Sequence, residues 1–425
     1  MDKLKEDYTE QSKFLLMLSY SFGEMAVNHS SVRELLGTSG QRFDVVIAEW
    51  IDSELYSSFA TYFNCSLIWS VSTHLHWQPL RLMDEVANPS YSADVNSGYI
   101  PPLNLMQRLN ELWTQIRKCW IMHFTIYPLE KELYSTVFGE AAKEKNIFLP
   151  PYEEVPDTYS MMLVNTHPSV ATPWRVPPSV KEIAGYHIKL PPDNLDLALE
   201  SIMNASSQGV IYFSLGSTAV SLSKTVVEDL LSVFADFKQT ILLKMEEPVE
   251  NVPHNVYLME WAPQTSILNH PNTKLFISHG GLLSVIEAIH FGVPIIAVPR
   301  AADQFTNVEA IVEKGVGIKL ENDEEFPKNL RKALAMMLND QSYKQNMMKL
   351  SWIYHDRPVA PGAELVHWVQ HAVRTRGAAH LRSPALTTPL YQKMYLDLAG
   401  IILAILIALT MTLFLICWHI RKLCR

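Results

Sequence analysis

The chain has 425 residues, 48% of them hydrophobic and 19% charged, with a net charge of −9. That length holds two globular domains, and the acidic balance excludes the basic footprint of a nucleic-acid binder or of a protein held on anionic lipid by charge. Four cysteines are too few for a disulfide framework, and the spacing of Cys65 and Cys119 suggests no metal site.

In chain order, the start "MDKLKEDYTEQ" is charged, and "FLLMLSYSF" after it is too short for a signal peptide and lacks a small-residue cleavage site. No strand is predicted before Phe43. Strand-like runs follow at Phe43–Glu49, Ser66–Ser72 and Ser160–His167, with a helical stretch at Leu105–Phe124. The proline-rich pieces at 101–104 and 173–180 read as irregular loops, and "LPPDN" at 190–194 as a linker. Of three glycosylation sequons, the one at Asn64 opens an apolar run and reads as structural.

Beyond the linker the alternation is regular. Strands are predicted at Val210–Ser214, Thr240–Lys244, Val256–Met259, Lys274–Ser278, Pro294–Val298 and over 315–320. Helices are predicted at Lys224–Phe237, Gln264–Asn269, Leu282–His290, Asn307–Lys314 and over 325–338. Apolar strands separated by helices indicate a parallel sheet covered on both faces. Ligands of such sheets bind beyond the carboxyl ends of the strands. Ser217, Trp261, His279 and the Asp303-Gln304 pair all follow strands, so they belong to one sheet edge. Gly280-Gly281 allows a tight turn into a helix N-terminus, which favours an anion.

Each of these residues has a plainer reading. Ser284 and Glu287 can hold phosphate and ribose hydroxyls, or form a capping box. Trp261 can stack on a base that Gln264 reads, or anchor a core. Asp303 can bind sugar hydroxyls or simply cap a helix.

Together the stretches "FSLGS" (213–217), "WAPQ" (261–264), "FISHGGLLSVIEAIHFGVPIIAVP" (276–299), "ADQ" (302–304) and "HDRPVAPGAELVHWVQ" (355–370) resemble the signature of the UDP-glycosyltransferases, the family of animal UDP-glucuronosyltransferases and insect UDP-glucosyltransferases. The resemblance runs from about Phe43 to the end. It implies an α/β GT-B fold, two Rossmann-like domains facing across a cleft, plus a C-terminal transmembrane helix. Residues 1–190 would form the acceptor-binding domain, 191–358 the donor-binding domain, 359–395 a crossover segment, 396–420 the membrane helix and 421–425 a cytosolic tail.

Carried over residue by residue, Trp261 would stack on uracil and Gln264 would contact that ring. Glu287 would bind the ribose; His279, Ser284, Ser217 and the Gly281 turn would hold the diphosphate; Asp303 and Gln304 would bind the sugar. The implied reaction is inverting transfer of glucose or glucuronate from a UDP-sugar co-substrate to a hydroxyl of a small lipophilic acceptor, with no resident cofactor and no metal. Arg300 stands where relatives often carry an aromatic, and Lys244 where glucuronosyltransferases tend to have arginine, so the donor sugar stays open.

In the family a histidine, oriented by a carboxylate, takes the acceptor's proton. Glu49 occupies the carboxylate position and is the catalytic candidate. No strand followed by histidine precedes Phe43. The expectation is therefore a chain without its first βα unit and general base, and, as the alternative function, a non-catalytic UDP-sugar-binding form that modulates paralogues in a homo- or hetero-oligomer. His74 and His76 could line the acceptor cleft, be merely structural, or ligate a metal.

Leu398–Trp418 carries no charge and is long enough to span a bilayer, which takes about 20 helical residues. Arg421, Lys422 and Arg425 follow it, which puts the tail in the cytosol and the body in the lumen of the endoplasmic reticulum.

Overall fold

The computed structural model describes residues 2–424 except 84, 85, 87, 156–158, 172, 217–222 and 248, with side chains from residue 12 onward. Two parallel sheets organise it. The first has β1 (Val45–Glu49), β2 (Ser66–Val71), β3 (Tyr159–Val164) and β4 (Val180–Glu182) in sequential order. The second has β5 (Val210–Ser214), β6 (Thr240–Lys244), β7 (Val256–Met259), β8 (Thr273–Ser278), β9 (Ile295–Ala297) and β10 (Gly317–Lys319). Its order is β10-β9-β8-β5-β6-β7, with every pair parallel. The chain leaves β5 in one direction for β6 and β7, then returns to β5's other side with β8. That reversal makes a topological switch point between β5 and β8, where side chains and ligands fit between diverging loops.

Both faces of the second sheet are buried along its inner strands, as their unbroken apolar runs require, while the edge strand β7 exposes Tyr257 and Leu258. Along β5 the side chains alternate between two cores. Val210 and Tyr212 join Val285, Ile286 and Ile289 of the Leu282–His290 helix, whereas Ile211 and Phe213 join Leu230, Phe234 and Leu334 on the other face.

The first sheet departs from the sequence reading in one place. β4 begins at Val180, at the end of a proline-rich stretch expected to be irregular. Its register is set by pairing with Met162–Val164, a tertiary partner that local composition does not reveal. The residues before Phe43, where no strand was predicted, form helices at Asp2–Asn28 and Ser30–Gly37. Asn64 does play a backbone part: it closes the Ser57–Phe63 helix in the left-handed region at φ 51°.

After the second sheet, the Pro361–Arg374 helix lies on one face of the first sheet, where Ala372, Leu365 and Trp368 pack with Ile68, Met161 and Leu163. Two seams join the halves. Thr306 Oγ1 donates to Val95 O at 2.7 Å and accepts from Gly98 N at 3.2 Å. Tyr354 Oη and Arg357 Nη1 both donate to Ala184 O, at 3.0 and 2.9 Å. The last helix, Leu396–Leu423, is long and apolar enough to cross a membrane and buries none of its apolar window.

Candidate active site at the switch point

β5 and β8 end side by side, with Ser214 opposite Ser278. The chain turns after each through Gly216 and Gly280, at φ 88° and 82°. His279 fills the gap between them. A Cβ on Gly216 would stand 2.9 Å from His279 Cε1, and one on Gly281 would stand 2.5 Å from His279 Nε2. The imidazole thus needs glycine on both sides, which explains the Gly-rich turn more directly than backbone freedom does. Burial, with the charge of Arg300 as the second cause, pushes the His279 pKa down to about 4. The ring is neutral near pH 7, its Nδ1 buried without a hydrogen-bond partner.

Gly281 is the N-cap of the Leu282–His290 helix, with no side-chain cap bond. Ser284 is therefore the third helical residue and Glu287 lies a turn further on, so the pair is not a capping box. Instead both meet Gln264, the first residue of the Gln264–Asn269 helix. Gln264 Nε2 donates to Glu287 Oε2 at 2.6 Å and to Ser284 Oγ at 3.1 Å, and Oε1 accepts from Tyr212 Oη at 3.3 Å. Glu287 is 8% exposed. Its other oxygen faces His187 Nε2 at 3.3 Å, within ion-pair range but without the alignment of a hydrogen bond.

Trp261 is 75% exposed, which removes the core-anchor reading. Lys244 Nζ sits 5.4 Å from its ring centroid and donates to Gly216 O at 3.3 Å, tying the Trp261 loop to the end of β5. Asp303 is the N-cap residue of the Gln304–Glu313 helix, yet its side chain makes no cap bond. It accepts from Asn307 Nδ2 at 2.8 Å, and burial raises its pKa. Gln304 turns away from this group. Its Oε1 accepts from Arg300 N and Ala301 N, at 2.7 and 3.1 Å, and it does not line the cleft. Ser217 lies outside the described residues.

The cleft these residues enclose has a volume of about 460 Å³ and is lined by Gly216, Lys244, Trp261, Gln264, His279, Gly281, Ser284, Glu287 and Asp303. Ser72 and Thr73, from the first sheet's loop after β2, close its opposite wall. Glu49, at the end of β1, stands behind that wall, where its Oε1 accepts from Ser72 N at 2.8 Å. Among the described residues no imidazole hydrogen-bonds to Glu49. His29 is a helix cap whose Nδ1 accepts from Ser31 N. His76 spends Nδ1 on His74 O at 2.8 Å, and burial holds the His74 pKa down at about 3. His74 and His76 face a second, smaller cavity with Tyr99 and Trp174, so neither reaches this cleft.

Sequence reasoning missed His187, Tyr212 and Thr73. Tyr212 was hidden as one more apolar strand residue, and nothing in local spacing marks the other two. The set as a whole offers an open aromatic face, an amide bonded to a carboxylate, a helix N-terminus beside a neutral imidazole, and a second, half-buried carboxylate. Such a set can stack a base, take vicinal hydroxyls, hold a diphosphate and receive a sugar.

Comparison with known proteins agrees with that chemistry. The family model described as UDP-glucoronosyl and UDP-glucosyl transferase matches residues 3–425. UDP-glucosyltransferase 2 of Dactylopius coccus is 31% identical over 427 residues, covering 99% of this chain and 79% of the relative. UDP-glucuronosyltransferase 2B7 of Homo sapiens is 30% identical, with 85% and 67% covered. Among solved structures, the calicheamicin glycosyltransferase CalG4 superposes with a TM-score of 0.56 at 16% identity, covering 87% of this chain and 84% of that one. Os79 from O. sativa, in complex with U2F and trichothecene, gives 0.54 at 16%, with 83% of each covered. These structural likenesses establish the GT-B fold. With the switch-point cleft and a family match over nearly its whole length, the chain belongs to the UDP-glucuronosyl and UDP-glucosyl transferase family.

Proposed function

We propose that this chain binds a UDP-sugar at the switch-point cleft and transfers its glucose or glucuronate, with inversion, to a hydroxyl of a small lipophilic acceptor. The observation that carries the reading is the Gln264–Glu287–Ser284 cluster beside the open face of Trp261. Uracil stacks on Trp261 with Gln264 at its edge, and Glu287 accepts the ribose hydroxyls. The Gly281 helix N-terminus, His279 and Ser284 take the diphosphate, with Ser217 as a further donor. Asp303 and Gln304 bind the sugar; Gln304 reaches it by releasing the loop amides it now holds. A neutral His279 donates a hydrogen bond to phosphate without adding a charge.

In the reaction the acceptor oxygen forms a bond to the anomeric carbon as the bond to the β-phosphate oxygen breaks on the opposite face. UDP leaves as an anion at the helix N-terminus, where the helix dipole stabilises it. The acceptor's proton passes to a general base; Glu49 is the residue that would orient one, although no histidine among the described residues hydrogen-bonds to it. The reading calls for no resident cofactor or metal. The Leu396–Leu423 helix anchors the chain in the endoplasmic reticulum membrane, with Arg421, Lys422 and Arg425 cytosolic and the body lumenal. Protease added to intact microsomes should then remove a tag placed after residue 425 and spare the body.

One observation favours a second reading, a UDP-sugar-binding partner that modulates paralogues: Glu49 accepts its hydrogen bond from the Ser72 backbone N–H and bonds to no histidine among the described residues. A single experiment separates the two. UDP titration measured by calorimetry should show binding that Glu287→Ala weakens, while UDP release from UDP-glucose or UDP-glucuronate with a phenol measures transfer. Binding without transfer supports the partner reading. Absence of UDP binding overturns both.

A further inference from the structure

The Leu105–Ile121 helix is built inside out. Its buried face is polar: Glu111, Thr114, Gln115 and Lys118 are each at most 6% exposed. Glu111 Oε2 accepts from Asp94 N at 2.7 Å. Lys118 Nζ pairs with Asp94 Oδ2 at 2.6 Å and donates to Gln78 Oε1 at 3.2 Å, and Trp77 Nε1 donates to Asp94 at 3.0 Å. The outward face is apolar. Leu105, Leu109, Leu112, Trp113, Ile116 and Trp120 are 44–64% exposed at helical spacing, and Phe124 in the following turn extends the stripe at 59%. The neighbouring Asp2–Asn28 helix carries exposed Phe14, Phe22 and Met25 of its own.

Water is a poor solvent for such a face, and a patch this continuous marks an interaction surface. We propose that it is a second membrane contact, lying in the interfacial plane of a bilayer and separate from the Leu396–Leu423 span. Three observations select lipid over protein. The chain already carries a fully exposed helix able to cross a membrane, so a bilayer lies within tether reach. The face pairs aliphatic residues with Trp113 and Trp120, the composition of an in-plane helix. The helix's single acidic residue, Glu111, is buried while Arg108 is exposed, so this helix itself turns no anion towards lipid phosphates, although the whole chain carries −9 and the neighbouring helix exposes Glu24. The contact is driven by apolar burial rather than by net charge. It would lay the body against the medium in which a lipophilic acceptor concentrates; only that consequence rests on the proposed function.

The test uses the full chain in phosphatidylcholine vesicles doped with a phosphatidylcholine that carries a photoactivatable group in its acyl chain. Peptide mapping should find lipid adducts both within 396–423 and within 105–124. The L109N/W113N/I116N variant should lose the second set to background, keep the first set, and bind UDP like the parent. Adducts confined to 396–423 in the unaltered chain overturn the proposal, whatever the variant does. So does copy-to-copy cross-linking through residue 113, which would make the face a self-association surface. Lipid adducts at 105–124 in a chain that fails to bind UDP would sink the proposed function and leave this contact standing.

Discussion

Two amphipathic helices in this protein face opposite ways. Leu282–His290 buries Val285, Ile286 and Ile289 in a sheet core and offers Ser284 and Glu287 to a cleft. Leu105–Ile121 buries Glu111 and Lys118 against Asp94 and turns its tryptophans outward. Periodicity tells that a helix has two faces; it does not tell which face meets the core. The first helix is held by apolar area, so its polar residues are free for a ligand. The second is held by a buried ionic network, so its apolar residues are free for another surface.

The largest effect should come from cutting that network. Lys118→Met leaves Asp94 buried without its cation and should cost about 3–5 kcal/mol in denaturant melts. Changing both partners together, D94N with K118M, should recover most of the loss. A nearly neutral Lys118→Met would mean that the second helix is held as the first is, by apolar packing.

The pH dependence of stability should differ in the same sense. Burial, then the charge of Asp94, raises the Glu111 pKa from 4.5 to about 7. Between those values the folded chain holds a proton that the unfolded chain releases. Stability therefore falls as pH rises through this window, by on the order of 3 kcal/mol, and Glu111→Gln should flatten the slope. Asp94 behaves oppositely. Burial opposes its charge, but the Lys118 ion pair prevails and brings its pKa down to about 2. Its contribution is present above the ordinary carboxylate range and is lost as pH falls towards 2. Melts across both windows check each sign.

On the donor side, Glu287→Ala should weaken UDP binding by about 1–3 kcal/mol, read by calorimetry, while barely moving the melting temperature. The helix keeps its apolar anchors. A lowered melting temperature with unchanged UDP affinity would make Glu287 a structural residue after all.

The smallest effect is expected at His187, whose ring stands 3.3 Å from Glu287. His187→Gln removes a partly exposed, poorly aligned contact and should raise the Kd for UDP by less than about 1 kcal/mol equivalent. A loss as large as that of Glu287→Ala would promote His187 from a neighbour to a residue that positions the carboxylate.

Sequence alone determined most of the donor-side sheet. Its strands are short apolar runs, β5 and β8 closed by glycine turns, and chain order with the strand-end rule brought Trp261, Gln264, His279, Ser284, Glu287 and Asp303 to one edge. Tertiary structure decided what each side chain does there. That Ser284 and Glu287 meet Gln264 rather than each other depends on where the helix starts, at Gly281. That Trp261 is open and Gln304 is folded onto its own loop depends on packing no local pattern encodes. The polar Glu111–Asp94–Lys118 network and β4 were invisible for the same reason, since their partners lie 17–24 residues away or on another strand. Local propensity fixes which residues share a face; only long-range contacts fix what that face touches.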